Sequence, residues 1–214
     1  MSETTDLLKE PWEYFGRQRE AGKFGIWVFL ASESLFFGAL FLTYTVCRLD
    51  HLDGFAAAGR ETNIWYGTIN TAILLTSSLT MAVASQASVS GDVFRRLIIL
   101  CLTATAALGL AFLVVKGFEY KEDIDKHLVP GAQFALKQTG AQLFYGLYWL
   151  VTGVHAIHLT IGIALVSRLA LLGYRRKLDL HENPEIEITG LYWHLVDIIW
   201  IFLYPLIYLP GRVS

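Results

Sequence analysis

The chain has 214 residues, of which 54% are hydrophobic and 14% aromatic, and its formal net charge is −2. This composition is too apolar for an ordinary soluble domain, and the charge balance predicts no nucleic-acid partner. The two cysteines, Cys47 and Cys101, are widely separated in the sequence. The chain therefore has neither a paired-thiolate metal motif nor a disulfide framework.

The first predicted membrane span, residues 25–46, contains a glutamate, Glu33. The apolar run is about 22 residues long, enough to cross a bilayer as a helix. An ionised carboxylate at the centre of a span costs about 3 kcal/mol on insertion scales. We therefore expect Glu33 to be protonated, or to be paired with another polar side chain.

Four further apolar runs, residues 64–84, 97–115, 143–166 and 190–209, have the length of spanning helices. Their apolar residues are continuous rather than alternating, which favours helices over barrel strands. The sequence thus predicts an all-α bundle of five transmembrane helices. The segments between the spans, such as residues 51–61, are predicted to be loops.

The polar start of the chain, residues 1–24, lacks the apolar core of a signal peptide and is predicted to be a cytoplasmic segment. With this segment inside, ten of the 17 Lys and Arg residues fall on the cytoplasmic side. The positive-inside rule then places the N-terminus in the cytoplasm and the C-terminus outside.

The spans contain five candidate functional groups: Glu33, His155 and His158 three residues apart in the fourth span, and His194 and Asp197 three residues apart in the fifth. Ionisable residues within a membrane suggest function by default. The histidines lie at depths that fit a haem poorly, and a hydrogen-bonded polar cluster is favoured over a metal site. The spacing allows Glu33, His158, His194 and Asp197 to meet, either as a static hydrogen-bonded group or as a proton relay.

One further acidic residue, Glu119, follows the third predicted span. Its position at the end of an apolar run predicts that it anchors the helix at the membrane interface.

Five stretches together carry a family resemblance. They are Gly-Ile-Trp-Val-Phe-Leu-Ala-Ser-Glu at 25–33, Asn-Thr-Ala-Ile-Leu-Leu-Thr-Ser-Ser at 70–78, Lys-Gly-Phe-Glu-Tyr at 116–120, Thr-Gly-Val-His-Ala-Ile-His at 152–158 and Tyr-Trp-His-Leu-Val-Asp-Ile-Ile-Trp at 192–200. In this order they resemble subunit III of the haem–copper terminal oxidases, which include cytochrome c and quinol oxidases. Many of those subunits have seven helices, and the chain is similar to the five-helix bacterial form. The two helices it lacks form one wall of a lipid-holding cleft.

The resemblance implies a subunit without catalytic residues, metal or redox cofactor of its own, in the inner membrane of a bacterium. It implies packing against oxidase subunit I, which holds the haems and copper, and contact with other oxidase subunits and phospholipids. The complex would reduce O2 to water and pump protons, with this subunit supporting the stability and proton uptake of subunit I. The residues matching the family's internal polar positions are Glu33, His155, His158, His194 and Asp197, and Glu119 matches its acidic helix end. The resemblance assigns no lipid-binding residues.

Two alternatives stay open at this point. An accessory subunit associated with nitric oxide reductase shares the five-helix layout. A small proton-coupled transporter could use Glu33 as its carrier, although the absence of an internal repeat in the sequence argues against it.

Overall fold

A computed structural model of the protein describes residues 15–89, 94–176, 178 and 184–212. The regular elements of this part of the chain are six helices. The predicted all-α bundle is confirmed, because five of them are long and apolar enough to cross a membrane. The helices are α1 (Phe15–Asp50), α2 (Leu52–Glu61), α3 (Ile64–Val89), α4 (Arg95–Asp125), α5 (Ala141–Tyr174) and α6 (Pro184–Tyr208).

Several helices extend beyond the spans predicted from hydropathy. α1 already includes residues 15–24 of the predicted N-terminal segment, whereas residues 1–14 lie outside the described part of the chain. α4 continues beyond residue 115 to Asp125, and α6 begins before residue 190, at Pro184, a residue suited to the first turn of a helix. Hydropathy identifies the part of a helix that suits lipid, and the helix itself continues into more polar sequence.

Four of the helices form a closed ring. α3 packs on α4, α4 on α5, α5 on α6, and α6 returns to α3. α1 lies outside this ring against α5 and α6, and only 6% of its most apolar stretch is buried by the chain itself. We call the side where α1 begins the amino-terminal side and the side where α6 ends the carboxy-terminal side.

A fully buried indole, Trp193 of α6, fills the centre of the ring. Two glycines make room for it: a Cβ atom would lie 2.8 Å from Trp193 Cη2 at Gly109 of α4, and 3.1 Å from Trp193 Cε3 at Gly162 of α5. The indole Nε1 donates a hydrogen bond to Ser77 Oγ of α3 at 3.2 Å. One side chain therefore contacts the three other helices of the ring, which can approach closely because small residues face it.

The prediction that residues 51–61 form a loop is wrong, because α2 occupies this segment. Three consecutive alanines at 56–58 favour a helix, and the helix buries Phe55 against the bundle. The last turn of α2 binds the segment that follows α6, because Arg60 Nε donates a hydrogen bond to Gly211 O at 3.0 Å. α2 thereby lies at the carboxy-terminal side of the bundle, in contact with α1, α5 and α6.

We expect Gly109→Ala to lower the melting temperature of the protein in detergent. The new methyl group would lie 2.8 Å from both Ile163 Cγ1 and Trp193 Cη2, and overpacking of this kind costs about 1–3 kcal/mol. Gly117→Ala on the same helix is the matched control, because nothing lies within 4 Å of a Cβ atom there. If the two variants melt at the same temperature, the close packing around Trp193 is not a determinant of stability.

Candidate functional site

A buried cluster of polar side chains joins α4, α5 and α6 near the carboxy-terminal side. At its centre, Lys116 and Glu119 are each only 2% exposed. Lys116 Nζ donates to Glu119 Oε2 at 3.0 Å, to Tyr148 Oη at 3.1 Å and to Tyr208 Oη at 3.0 Å. These three bonds use all the donors of the ammonium group. With Asp123, these residues form what we call the Lys116 cluster.

The two tyrosine hydroxyls of the cluster donate their own protons to the carboxylates. Tyr208 Oη donates to Glu119 Oε1 at 2.6 Å, and Tyr148 Oη donates to Asp123 Oδ2 at 2.7 Å. The tyrosine rings add a second kind of contact, since Lys116 Nζ lies 4.6 Å from the centroid of the Tyr148 ring. Such cation–π contacts are strongest where water is excluded. Each polar hydrogen in the cluster thus has an acceptor, which is what a buried ionic group requires.

The prediction that Glu119 anchors α4 at the interface is wrong. The helix continues to Asp125, so Glu119 is in its interior and its side chain is buried. The spacing of Lys116, Glu119 and Asp123, at intervals of three and four residues, places them on one helix face and could have indicated the cluster. The remaining members, Lys116, Asp123, Tyr148 and Tyr208, were not predicted from the sequence.

The structure brings together two of the predicted groups, Glu33 and His158, near the midpoints of α1 and α5. His158 Nε2 lies 3.0 Å from Glu33 Oε2, and His158 Nδ1 lies 2.9 Å from Val154 O. Because a carbonyl oxygen only accepts, Nδ1 carries a proton. The contact between Nε2 and Oε2 then holds one further proton. The pair has no net charge whether this proton is on the imidazole or on the carboxyl group.

This pair faces a groove of about 580 Å³ between α1, α5 and α6, on the amino-terminal side of the bundle. We call it the α1 groove. The side chains of Glu33 and His158 remain 19% and 17% exposed, so the pair is accessible from the groove. At the end of the groove away from this pair, Arg168 Nη1 lies 2.9 Å from Glu185 Oε2. The apolar lining consists of Ile26, Phe29, Ile161, Leu165 and Ile188.

His194 and Asp197 lie apart from this pair. His194 Nδ1 is 2.8 Å from Ser78 Oγ of α3. Asp197 is 3% exposed, and among the described residues its carboxyl group approaches the side chain of Ser78 without a well-formed hydrogen bond. The cluster of Glu33, His158, His194 and Asp197 that the sequence allowed therefore does not form. In the described part of the chain, no three side chains of His, Cys, Asp or Glu are close enough to share a metal ion.

The remaining candidate, His155, is packed between aromatic rings. It is 1% exposed, and its ring centroid lies 5.7 Å from that of Phe112 and 5.2 Å from that of Trp200. Neither ring nitrogen has a hydrogen-bond partner within the described ranges. His155 and His158 therefore occupy different environments, although they are only three residues apart.

Comparison with known proteins identifies the family. The family model for cytochrome c oxidase subunit III matches residues 17–212, which include both the Lys116 cluster and the Glu33–His158 pair. The chain belongs to the cytochrome c oxidase subunit III family. The resemblance of its five motifs to the subunits III of haem–copper oxidases is thereby confirmed, and with its five spans the chain is a multi-pass membrane protein.

Three relatives show the breadth of this subunit III family. The cytochrome c oxidase subunit 3 of Bacillus subtilis is 31% identical, over 89% of the chain and 86% of the relative. The subunit of the same name from Alkalihalophilus pseudofirmus is 34% identical, over 87% and 85%. A probable quinol oxidase subunit 3 of Staphylococcus aureus is 31% identical, over 91% of each chain. The similarity thus extends along nearly the whole length of both kinds of oxidase subunit.

We expect Lys116→Met to be strongly destabilising. It would leave Glu119 and Asp123 buried without their cation, and removing one partner of a buried ion pair costs about 3–5 kcal/mol. Lys126→Met is the control, because the exposed pair between Lys126 and Glu122 contributes at most about 1 kcal/mol. The melting temperatures in detergent measure the difference.

A double variant tests whether the uncompensated charge is the cause. Lys116→Met/Glu119→Gln removes one carboxylate along with the cation, so it should melt at a higher temperature than Lys116→Met alone. A Lys116→Met protein as stable as the Lys126→Met protein would contradict the role given to the cluster.

Proposed function

We propose that this chain is the non-redox subunit III of a respiratory haem–copper oxidase in a bacterial inner membrane. The complex reduces O2 to water and pumps protons. The chain itself is not catalytic and binds neither haem nor copper, which belong to partner subunits. It packs against subunit I and other oxidase subunits, with its N-terminus in the cytoplasm, and it supports the stability and proton uptake of subunit I.

The observation that carries this proposal is the Glu33–His158 pair. It places a carboxyl oxygen 3.0 Å from an imidazole nitrogen near the midpoints of α1 and α5, and it faces a groove on the amino-terminal side. In the proposed orientation that side is the cytoplasm, from which a proton pump takes up its protons. Tyr192 Oη fixes the α5 backbone beside the pair by donating to His158 O at 2.9 Å. A carboxyl–imidazole pair held in this way suits a supporting role in proton uptake.

Proposed contacts with partners follow from the position of α1. Outside the ring, α1 leaves the large apolar side chains of Leu35, Phe36 and Leu42 exposed, and in a membrane such a surface suits another helix or lipid. We place a phospholipid in the α1 groove, because its walls are apolar and the ion pair of Arg168 with Glu185 gives it a polar end.

Replacing Glu33 tests the supporting role. Glu33→Gln should assemble with the haem-bearing subunit nearly as well as the native chain, since an amide can donate to or accept from His158 Nε2. Glu33→Ala should assemble less well, because a polar group left without its partner costs about 1–3 kcal/mol. The measurements are the haem content per copurified chain and the number of turnovers before inactivation. Glu187→Gln, which removes an exposed ion pair with Lys23, is the control. Equal behaviour of Glu33→Gln and Glu33→Ala would contradict the role of the pair.

The proposed complex has a separate test. The chain purified from native membranes should bring down a haem-bearing subunit, whereas the chain produced alone should show no haem absorbance. A stoichiometric haem in the isolated chain, or a native preparation free of any haem protein, would overturn the proposal.

A further inference from the structure

A second groove lies on the amino-terminal half of the bundle, between α4 and α5, and has a volume of about 290 Å³. We call it the α4/α5 groove. α4 contributes Ile99, Thr103 and Ala106, and α5 contributes Ser167 and Ala170 to its walls. The hydroxyl of Thr103 donates to Ile99 O at 2.8 Å and is thereby satisfied within its own helix. The groove therefore presents a largely apolar wall.

Four arginines lie where α4 begins and α5 ends on the amino-terminal side, just beyond the residues that line the groove. Arg95 and Arg96 begin α4, while Arg175 and Arg176 directly follow α5. Arg95 Nη2 donates to Gly173 O at 2.6 Å and so joins the two helices at this end. Arg95 and Arg96 precede Ile99 by four and three residues, and Leu171 of the groove wall precedes Arg175 by four, so these arginines continue the helix faces that line the groove.

The four arginines differ in their pairing from the other cations on the amino-terminal side. Within the described ranges, none of the four forms an ion pair. The cations near the α1 groove differ, because Arg168 is paired with Glu185 at 2.9 Å and Lys23 with Glu187 at 2.8 Å. Within the described part of the chain, the cations at the end of the α1 groove are thus paired with acidic side chains, and those at the end of the α4/α5 groove are not.

The dimensions of the α4/α5 groove match one leaflet of a bilayer. From Arg95 to Ala106 the helix rises about 16 Å at 1.5 Å per residue. This is close to half of a hydrocarbon core about 30 Å thick. An acyl chain lying in the groove would place its head group at the arginines.

We propose that the α4/α5 groove binds an anionic phospholipid of the leaflet on the amino-terminal side. The acyl chain occupies the apolar groove, and the phosphate is held by the guanidinium groups of Arg96 and Arg175, whose planar donors match phosphate oxygens. This assignment does not depend on the proposed oxidase function, because it rests on the groove and its charges alone.

The test uses the full-length chain, purified in detergent together with the subunits that accompany it. Binding of spin-labelled phosphatidylglycerol and of spin-labelled phosphatidylcholine is measured by electron paramagnetic resonance. The native protein should prefer phosphatidylglycerol. In Arg96→Gln/Arg175→Gln we expect a loss of about fivefold in this preference for each arginine removed, with phosphatidylcholine binding unchanged.

Two further variants separate a built site from general surface charge. Lys121→Gln/Lys137→Gln removes the same charge from exposed lysines elsewhere and should keep the preference. Ser167→Phe fills the groove from an exposed position while leaving the arginines in place, and it should reduce phosphatidylglycerol binding. Melting temperatures and copurification show that each variant is folded.

Three results would overturn the proposal. They are equal binding of the two lipids by the native protein, a preference that survives Arg96→Gln/Arg175→Gln, and a preference unaffected by Ser167→Phe. The last result would show that the arginines attract anionic lipid only as surface charge. The readout is lipid binding, so it stands apart from the haem content and turnover that test the proposed function.

Discussion

The ammonium group of Lys116 is the interaction on which the carboxy-terminal end of the bundle depends. A bilayer core offers no water to a polar group, so each one must find its partner inside the protein. Lys116 donates to Glu119 on its own helix, to Tyr148 of α5 and to Tyr208 of α6. Hydrophobic contacts have no preferred direction, whereas the two bonds to Tyr148 and Tyr208 fix how α4, α5 and α6 are rotated relative to one another. The same rotation turns Trp193 toward Gly109 and Gly162 in the centre of the ring.

The amino-terminal half of the bundle is organised differently. There α1 packs on α5 and α6 from outside the ring, and the contact leaves a groove that reaches Glu33 and His158. In the Lys116 cluster each hydrogen-bond donor has an acceptor. A titratable group in such a network cannot exchange its proton without breaking several hydrogen bonds. Within the part of the chain that the structure describes, Glu33 has a single side-chain partner, His158, and it is partly exposed. This difference in environment is why we propose the Glu33–His158 pair, and not the Lys116 cluster, as the site that supports proton uptake.

The sequence predicted the five spans because a continuous apolar run of about 20 residues has the length of a helix that crosses a bilayer. It also supported the family, because five motifs occur in order. It did not reveal the Lys116 cluster, since hydropathy ended the third span before this residue and since Lys116 and Tyr208 are 92 residues apart. For Glu33 the sequence offered several candidate hydrogen-bond partners. The choice of His158 depends on the rotation of α1 against α5, which no pattern within one helix determines.

The two grooves show how similar apolar walls can acquire different preferences. At the α1 groove the ion pairs of Lys23 and Arg168 connect α6 to α1 and to α5, so the cations stabilise the packing and are neutralised by it. At the α4/α5 groove Arg95 connects the helices through the carbonyl of Gly173, and neither Arg95 nor Arg96 has an acidic partner among the described residues. Membrane topology requires only that positive charge lie on one side. It does not require the charge to lie at the end of an apolar groove one leaflet deep. That placement is the feature a bound anionic lipid explains and topology alone does not.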